Sequence, residues 1–418
     1  MKVFTMATRS LLLMMFALLS FDSLHAQQKI RKAVFIIVDG IPADVIEKSP
    51  VKNMQAIAEV GGYSRLVVGG DAKTYNQTPT ISAVGYNTVL TGTWANKHNV
   101  WDNDIADPNY NYPTIFTLLK KARPEKKIGI YSTWLDNRLK LVGEGLPQTG
   151  VSKFDYVSDG YEVDTVNYPH DKKSMYIHWI DEKVAEDAAT SILTDAPDLS
   201  WVYLEYTDDM AHRFGDSPEF NQAIEYADGQ VGRIWKAIKE REKNFNEEWM
   251  IVITTDHGRD AKTGKHHGGQ SDREKSGWMI TNYPGVNQQF TSGKGMHTDI
   301  MPGIANFMGI PIPEDVKREI DGVPFTGPIS ISDPLIKYDS VSHRAVISWK
   351  AMQPTGRVKI YVATTNNKKT GGTDEYKLLK EVKLKDQQWV VNLTSMPSSF
   401  YKFVLEGEHN TVNYWIKK

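Results

Sequence analysis

The sequence predicts an α/β domain with a mostly parallel sheet and helices on both faces, followed by a small all-β sandwich. The first observation is that four apolar runs, at residues 33–38, 127–132, 201–206 and 249–254, alternate with segments of helical spacing. The second is that residues 331–418 contain only short runs of alternating polarity. These patterns indicate two domains of different class in one chain.

The four apolar runs are typical of strands that are buried on both faces of a parallel sheet. Residues 33–38 read AVFIIV and end at Asp39-Gly40. Between the runs, residues 114–122 have helical spacing, and the apolar residues of 220–240 recur on one helical face. Because crossover helices connect parallel strands, we expect helices on both faces of the sheet.

The C-terminal part has a different pattern. Six short runs of alternating polarity follow residue 331, separated by clusters of Gly, Asn, Pro and Lys. No helix-length pattern lies between them, which predicts a small all-β sandwich. Residues 324–334 contain Pro and Ser and predict a linker. The predicted units are therefore residues 1–26, 27–330 and 331–418.

The first of these units has the pattern of a secretory signal peptide. Lys2 and Arg9 precede an apolar run from Leu11 to Leu19, and a cleavage site follows at Ala26. A membrane anchor is the alternative, but the run is shorter than the roughly 20 residues that span a bilayer. We therefore expect cleavage and export to the periplasm or the medium.

The composition excludes several classes of protein. Hydrophobic residues make up 40% and charged residues 24% of the chain, which is typical of a globular protein. The formal net charge of −2 gives no indication of nucleic-acid binding. No second apolar run has membrane length, so we expect no membrane span. The chain has no cysteine, so any metal must be held by His and carboxylates.

Three of the predicted strands end in candidate metal ligands. Asp39 ends the first, Asp208 follows the third with His212 four residues later, and Asp256-His257 follows the fourth. Ligands bind outside the carboxyl ends of the strands in open α/β sheets. A single Asp after a strand is usually a turn or cap residue. Three such ends, two of them with His, favour a metal site.

Two further segments carry candidate functional groups. Ser82 lies at the start of a predicted helix over residues 83–90, where free amides favour a phosphoryl group. An N-cap serine is the alternative there. His266 and His267 precede Gly268-Gly269 on a predicted loop, which suits a metal ligand. Solvated loop histidines are the alternative.

Taken together, these motifs resemble the alkaline phosphatase superfamily, and in particular its nucleotide pyrophosphatase/phosphodiesterase branch. The resemblance covers about residues 30–310, and the order, spacing and strand context of the motifs agree. It implies two zinc ions. One set of ligands is Asp208, His212 and His267, and the other is Asp39, Ser82, Asp256 and His257.

The resemblance also implies roles for four residues. Ser82, nine residues before Thr91-Gly92, takes the place of the nucleophile, and Asn103 takes that of the Asn that steadies a phosphoryl oxygen. Tyr203 matches an aromatic residue that stacks on nucleotide bases. Ala83 stands where the branch has a Phe on the other side of the base, while its amide would help to hold the phosphoryl oxygens. The C-terminal module resembles a fibronectin type III domain.

The predicted function is hydrolysis of a phosphodiester or nucleotide-like substrate through a phosphoseryl intermediate. A phosphomonoesterase is the alternative, and the further cation that its dianionic substrate needs has four candidates, Arg138, Lys140, Lys172 and Lys173. A non-catalytic binding protein is a remote alternative. His297 is interpreted as structural, with His266 replacing His267 if the alignment is displaced by one residue. The sequence gives no indication of oligomeric state.

Overall fold

The computed structural model describes residues 29–417. The predicted leader, residues 1–26, lies outside this range. The described strands are β1 to β15, with these bounds: Ile30–Val38, Gly62–Val67, Ile128–Ser132, Tyr156–Ser158, Leu199–Leu204, Glu247–Thr254, Ser276–Thr281, Gly295–Met296, Ile331–Asp339, Arg344–Ala351, Arg357–Ala363, Lys377–Lys383, Gln388–Asn392, Phe400–Glu406 and Thr411–Lys417.

The described α-helices are α1 to α11. Their bounds are Ala43–Ile46, Lys52–Ala58, Ser82–Thr91, Ala95–His98, Ile115–Ala122, Met175–Thr194, Tyr206–Phe214, Pro218–Asn244, Gln288–Thr291, Ile300–Met308 and Glu314–Lys317. A π-helical turn covers Asn137–Val142. Short 3-10 turns cover Tyr161–Val163, His297–Asp299, Asn367–Thr370 and Leu384–Asp386.

The first eight strands form one mostly parallel sheet in the order β4-β3-β5-β1-β6-β7-β2-β8. The two neighbours of β1 are both parallel to it, while β7 is antiparallel to β6 and to β2. Strand β1 alternates between two cores: Phe35 and Ile37 face one side, and Val34 and Ile36 face the other. Helices α3, α5 and α10 cover the first side and α2, α6 and α8 the second. The predicted α/β class with helices on both faces is confirmed.

The C-terminal strands form two antiparallel sheets, β13-β10-β9 and β12-β11-β14-β15, around one shared core. At the start of β14, the Tyr401 hydroxyl donates to the carbonyl of Met396 at 2.6 Å. A tyrosine that bonds back across this corner is a recurrent feature of immunoglobulin-like sandwiches. The predicted all-β module is confirmed by these two antiparallel sheets, and its resemblance to a fibronectin type III domain stays a prediction.

Two lysines, both fully buried, join the sandwich to the α/β domain. Lys97 donates to the carbonyl of Glu319 at 2.7 Å and to Asn413 Oδ1 at 2.8 Å, and it forms an ion pair with Asp321. Lys402 pairs with Glu319 and Asp374. Because Lys97 bonds to Asn413 and Lys402 pairs with Glu319 across the boundary, the two domains share one buried polar network.

We expect the Lys97→Met variant to lower the free energy of unfolding by about 3–5 kcal/mol, because it leaves the buried carboxylate of Asp321 without its cation. Denaturant unfolding followed by circular dichroism measures this change. Lys337→Met removes an exposed lysine of β9 and is the matched control, with an expected effect below about 0.5 kcal/mol. Equal stabilities of the two variants would contradict the importance of the network.

Candidate metal and phosphoryl-transfer site

Three carboxylates meet at the carboxyl edge of the sheet because β5, β1 and β6 are parallel neighbours. Asp39 follows β1, Asp208 lies in the first turn of α7 just after β5, and Asp256 follows β6. Asp39 and Asp256 are buried, and Asp208 is mostly buried. The carboxyl edge of the sheet, where the sequence predicts a ligand site, therefore carries three closely spaced acidic groups.

The first cluster of candidate ligands surrounds His257 Nε2. This nitrogen lies 3.2 Å from Asp256 Oδ2, 3.5 Å from Asp39 Oδ1 and 3.3 Å from Ser82 Oγ. Four ligands held about 2.0–2.1 Å from one zinc in a tetrahedron lie about 3.3–3.4 Å from one another. The three separations from His257 Nε2 are close to this value, and the ligand atoms of Asp39, Asp256 and His257 all lie within 4.8 Å of one another.

The second cluster contains Asp208, His212 and His267. His212 Nε2 lies 3.0 Å from His267 Nε2 and 3.3 Å from Asp208 Oδ2. Asp208 Oδ1 lies 4.0 Å from both His267 Nε2 and His257 Nε2, and the rings of His257 and His267 stack with centroids 3.7 Å apart. The two clusters are therefore adjacent, and His257 borders both.

The hydrogen bonds around these ligands suit a bound cation. Among the described residues, no N–H or O–H group donates to Asp39 Oδ1 or to Asp256 Oδ2, although both atoms are buried. His257 Nδ1 contacts the carbonyl of Gly258 at 3.0 Å, and His267 Nδ1 contacts that of Thr80 at 2.9 Å. These carbonyls place the ring hydrogen on Nδ1 and leave the Nε2 lone pairs facing the clusters. A set of carboxylates and imidazoles without sulfur fits zinc.

The electrostatics favour a cation for the same reason. Burial raises the pKa of Asp39, and repulsion by Asp256 and Asp208 raises it further. Burial raises the pKa of Asp256 to about 7. Burial also lowers the pKa of His257, and the neighbouring His267 lowers it further. Buried carboxylates beside neutral imidazoles are costly without a positive charge between them, which a metal ion supplies.

Ser82 is the first residue of α3, and Ile81 occupies the N-cap position without a side-chain cap. The alternative role of Ser82 as an N-cap is therefore not what the structure shows. Its hydroxyl instead faces His257. The next amide, Ala83 N–H, donates to Asn103 Oδ1 at 3.0 Å, so Asn103 and Ser82 border the same space.

Two predicted substrate-binding side chains do not reach that space. Tyr203 is 3% exposed, and its hydroxyl donates to Asp39 Oδ2 at 2.8 Å, so the prediction that it stacks on a base is wrong. The ring of Tyr203 lies in the core on the face of the sheet that α3 covers, where it contacts Tyr86. The methyl group of Ala83 is also fully buried in the core, so it does not line a base pocket either.

The remaining candidates lie outside the two clusters. His266 is exposed, whereas His297 is buried and burial lowers its pKa to about 3. Arg138 is paired with Asp159 and Glu144, and Lys140 is paired with Asp136. Lys172 and Lys173 are exposed. The described metal-ligand groups are Asp39–Asp256–His257 and Asp208–His257–His267, which contain neither His266 nor His297. His212 is not in them either, and it is assigned to the second cluster by its distances to His267 and Asp208.

Sequence reasoning missed two residues that hold the ligands. Tyr86, one turn after Ser82 on α3, donates its hydroxyl to Asp39 Oδ2. Arg259, two residues after His257, bonds to Asp208. Their positions relative to Ser82 and to the Asp256-His257-Gly258 motif are the only signals that could have indicated them.

This geometry is accompanied by a family match. The model of the type I phosphodiesterase/nucleotide pyrophosphatase family matches residues 33–270, which include both clusters, Ser82 and Asn103. The chain belongs to this family.

Individual relatives agree with that assignment. An uncharacterized pyrophosphatase/phosphodiesterase of Schizosaccharomyces pombe is 24% identical over 233 residues, which are 54% of this chain and 44% of the relative. A venom phosphodiesterase of Naja atra is 25% identical over 187 residues, which are 44% of this chain and 21% of the relative. The chain thus matches less than half of the length of these curated relatives.

The fold is also found in solved structures. Ps i-CgsB, solved in complex with k-i-k-neocarrahexaose, superposes with a TM-score of 0.51 at 15% identity, covering 84% of this chain and 86% of its own. At this identity the likeness concerns the fold alone. Among the described residues, no helix is long and apolar enough to cross a membrane.

Proposed function

We propose that this chain is an exported two-zinc phosphodiesterase or nucleotide pyrophosphatase that acts through a phosphoseryl intermediate. The observation that carries the proposal is that Ser82 Oγ, Asp39 Oδ1 and Asp256 Oδ2 all lie 3.2–3.5 Å from His257 Nε2. A serine that is held among metal ligands has the position of an activated nucleophile. Family membership supports the same chemistry.

Each cluster has a separate task in this proposal. The first cluster, with Ser82, would hold the nucleophile. The second cluster, with Asp208, His212 and His267, would bind the other side of the phosphoryl group. Two zinc ions bound by these residues would supply positive charge to the phosphoryl oxygens and lower the pKa of the Ser82 hydroxyl. Both metal identity and stoichiometry are part of the proposal.

The protein groups then carry out two displacements. Ser82 gives its hydroxyl proton to solvent, and its Oγ attacks phosphorus in line with the leaving oxygen, whose bond to phosphorus breaks and which takes up a proton from water. A water molecule that gives a proton to solvent then attacks the phosphoseryl group. The bond from phosphorus to Ser82 Oγ breaks, Ser82 regains a proton and the phosphate monoester is released. Ala83 N–H and the side-chain amide of Asn103 are placed to donate to a phosphoryl oxygen once that oxygen displaces Asn103 Oδ1 from the Ala83 amide.

A diester fits the described cations better than a monoester does. The dianion of a monoester needs a further positive charge, and Arg138 and Lys140 are already paired with carboxylates. The buried positions of Tyr203 and Ala83 also leave these two side chains unable to enclose a base. We therefore propose that the substrate is a phosphodiester and that the identity of a nucleotide base contributes little to its binding.

The test is a substrate panel on the purified full chain with added zinc. We expect kcat/KM for bis(p-nitrophenyl) phosphate and for p-nitrophenyl nucleotide diesters to exceed that for p-nitrophenyl phosphate by at least about tenfold. The kcat/KM values of the four nucleotide esters should differ by less than about threefold. Stacking of a base on an aromatic side chain is worth roughly 1–3 kcal/mol, and without that contact the enzyme has little means of distinguishing one base from another. A tenfold preference for the monoester would favour the phosphomonoesterase, and the absence of any turnover would favour a binding protein.

Export is proposed on the N-terminal sequence alone. Lys2, Arg9 and the apolar run that follows have the pattern of a cleaved leader. The N-terminal residue of the protein recovered from the producing cells, determined by mass spectrometry, tests it, and we expect Gln27.

A further inference from the structure

Arg259 is fully buried directly beside the second cluster. Its Nε donates to the carbonyl of Gly40 at 2.8 Å, and its Nη1 donates to that of Lys265 at 3.1 Å. Its Nη2 donates to the backbone carbonyl of Asp208 at 3.1 Å and to Asp208 Oδ1. One guanidinium group therefore ties the end of β1 and the loop before His267 to the carboxylate of Asp208.

The backbone around Arg259 is built to admit it. Gly40 has a φ of +68°, a conformation that L side chains rarely adopt. A Cβ atom at this position would lie 2.5 Å from Arg259 Nη2 and 2.6 Å from Asp208 Oδ1. Glycine is required because the guanidinium and carboxylate groups fill the space that any side chain would take.

Among the ligand side chains of the two clusters, Arg259 hydrogen-bonds only to Asp208, although its bond to the Gly40 carbonyl also reaches the residue that follows Asp39. Its side chain bonds to Asp208, whereas the hydrogen bonds of Asp39 Oδ2 come from Tyr86 and Tyr203. With Oδ1 held by Arg259, Asp208 Oδ2 is directed toward His212 Nε2 at 3.3 Å. Hydrogen-bonded neighbours of this kind fix the orientation of metal-ligating carboxylates.

We propose that Arg259 is a positioning residue that orients Asp208 and so sets the metal affinity of the Asp208–His212–His267 site selectively. The proposal rests on the proposed metal-dependent function, but it concerns binding and not turnover. Losing such a partner typically costs 10- to 100-fold in metal affinity. Arg259 forms no hydrogen bond with the side chains of Asp39, Asp256 or His257, so their site should keep its affinity.

The test is zinc binding to the metal-free full chain, measured without substrate by competition with a chromophoric chelator. In Arg259→Lys and Arg259→Met we expect one of the two affinities to fall by about 10- to 100-fold and the other to change by less than about threefold. Arg259→Lys, which keeps a buried positive charge but not the planar fork of donors, keeps the test available if Arg259→Met fails to fold.

An Asp208→Asn background shows which of the two sites Arg259 affects. Asp208→Asn weakens the Asp208–His212–His267 site, so adding Arg259→Met should leave the affinity of the remaining site unchanged. Arg273→Met is the matched control. Arg273 is also mostly buried, but it pairs with Asp44 and Asp216, so both affinities should stay unchanged.

Two results would overturn the proposal. The first is an equal fall of both affinities, which indicates a general structural role, and the second is no change in either affinity. A parent chain that binds no divalent metal at all would instead overturn the proposed metal-dependent function, and the positioning role with it. If one zinc affinity falls and the preference for diesters over monoesters is unchanged, both the positioning role of Arg259 and the proposed function are supported.

Discussion

Replacing Ser82 with alanine is expected to lower kcat toward phosphodiesters by at least about a thousandfold, as the loss of a covalent nucleophile does in other hydrolases. The fold should survive, because alanine is a good helix former and Ser82 does not cap α3. Steady-state kinetics on bis(p-nitrophenyl) phosphate, with the circular dichroism spectrum as a check on folding, measure this effect.

The control for Ser82→Ala is Ser82→Thr, which keeps a hydroxyl at the same position. We expect this variant to retain activity within about tenfold of the parent, because the nucleophilic oxygen remains beside His257 Nε2. Near-normal turnover by Ser82→Ala would show that the hydroxyl is not the nucleophile. A covalent phosphoseryl peptide, trapped by acid quench during turnover, should be found in the parent and be absent from the alanine variant.

The second large effect is expected for His257→Ala. His257 Nε2 lies within 3.5 Å of Ser82 Oγ, Asp39 Oδ1 and Asp256 Oδ2. Its loss therefore removes the one nitrogen ligand of the first cluster. We expect kcat to fall by about a thousandfold or more, together with the loss of about one zinc per chain. Activity assays and elemental analysis of the same preparation measure the two effects.

His266→Ala is the control for His257→Ala. His266 is an exposed histidine one residue before His267, and its side chain takes no part in the described metal-ligand groups. Its replacement should leave zinc content and turnover unchanged. If His266→Ala lowers zinc content and turnover as much as His257→Ala does, then His266, and not His267, is the metal ligand on this loop.

The position of the site could be predicted from the sequence because it depends on sheet topology. Asp39, Asp208 and Asp256 each follow a strongly apolar strand, and the ends of parallel strands meet at one edge. The sheet itself was predictable only in part. Strand β7 has the same apolar character as its neighbours but runs antiparallel, and apolar content does not reveal strand direction.

The role of Tyr203 could not be predicted because it depends on register. The predicted strand over residues 201–206 ends two residues earlier, at Leu204, and α7 begins at Tyr206. Tyr203 pairs with Ile37 on β1, which turns its ring into the core and its hydroxyl toward Asp39. Alternation along a strand sends successive side chains to opposite faces, so the choice of face requires the neighbouring strand.

Arg259 could not be predicted because its partners are distant in sequence. Gly40 is 219 residues away and Asp208 is 51 residues away, and neither contact leaves a pattern around the arginine. A buried arginine is unusual enough to be noticed only once burial is known. Tyr86, by contrast, lies four residues after Ser82 on the same helical face, so its proximity to the nucleophile follows from helical spacing.

The proposed function requires that the two adjacent ligand clusters hold two metal ions. Elemental analysis of the full chain, purified without chelator and then dialysed against metal-free buffer, measures this occupancy. We expect about two zinc ions per chain in the parent and about one in His257→Ala, with no change in His266→Ala. A parent chain that carries only trace zinc or other divalent metal, and that gains neither metal nor activity on adding zinc, would contradict it.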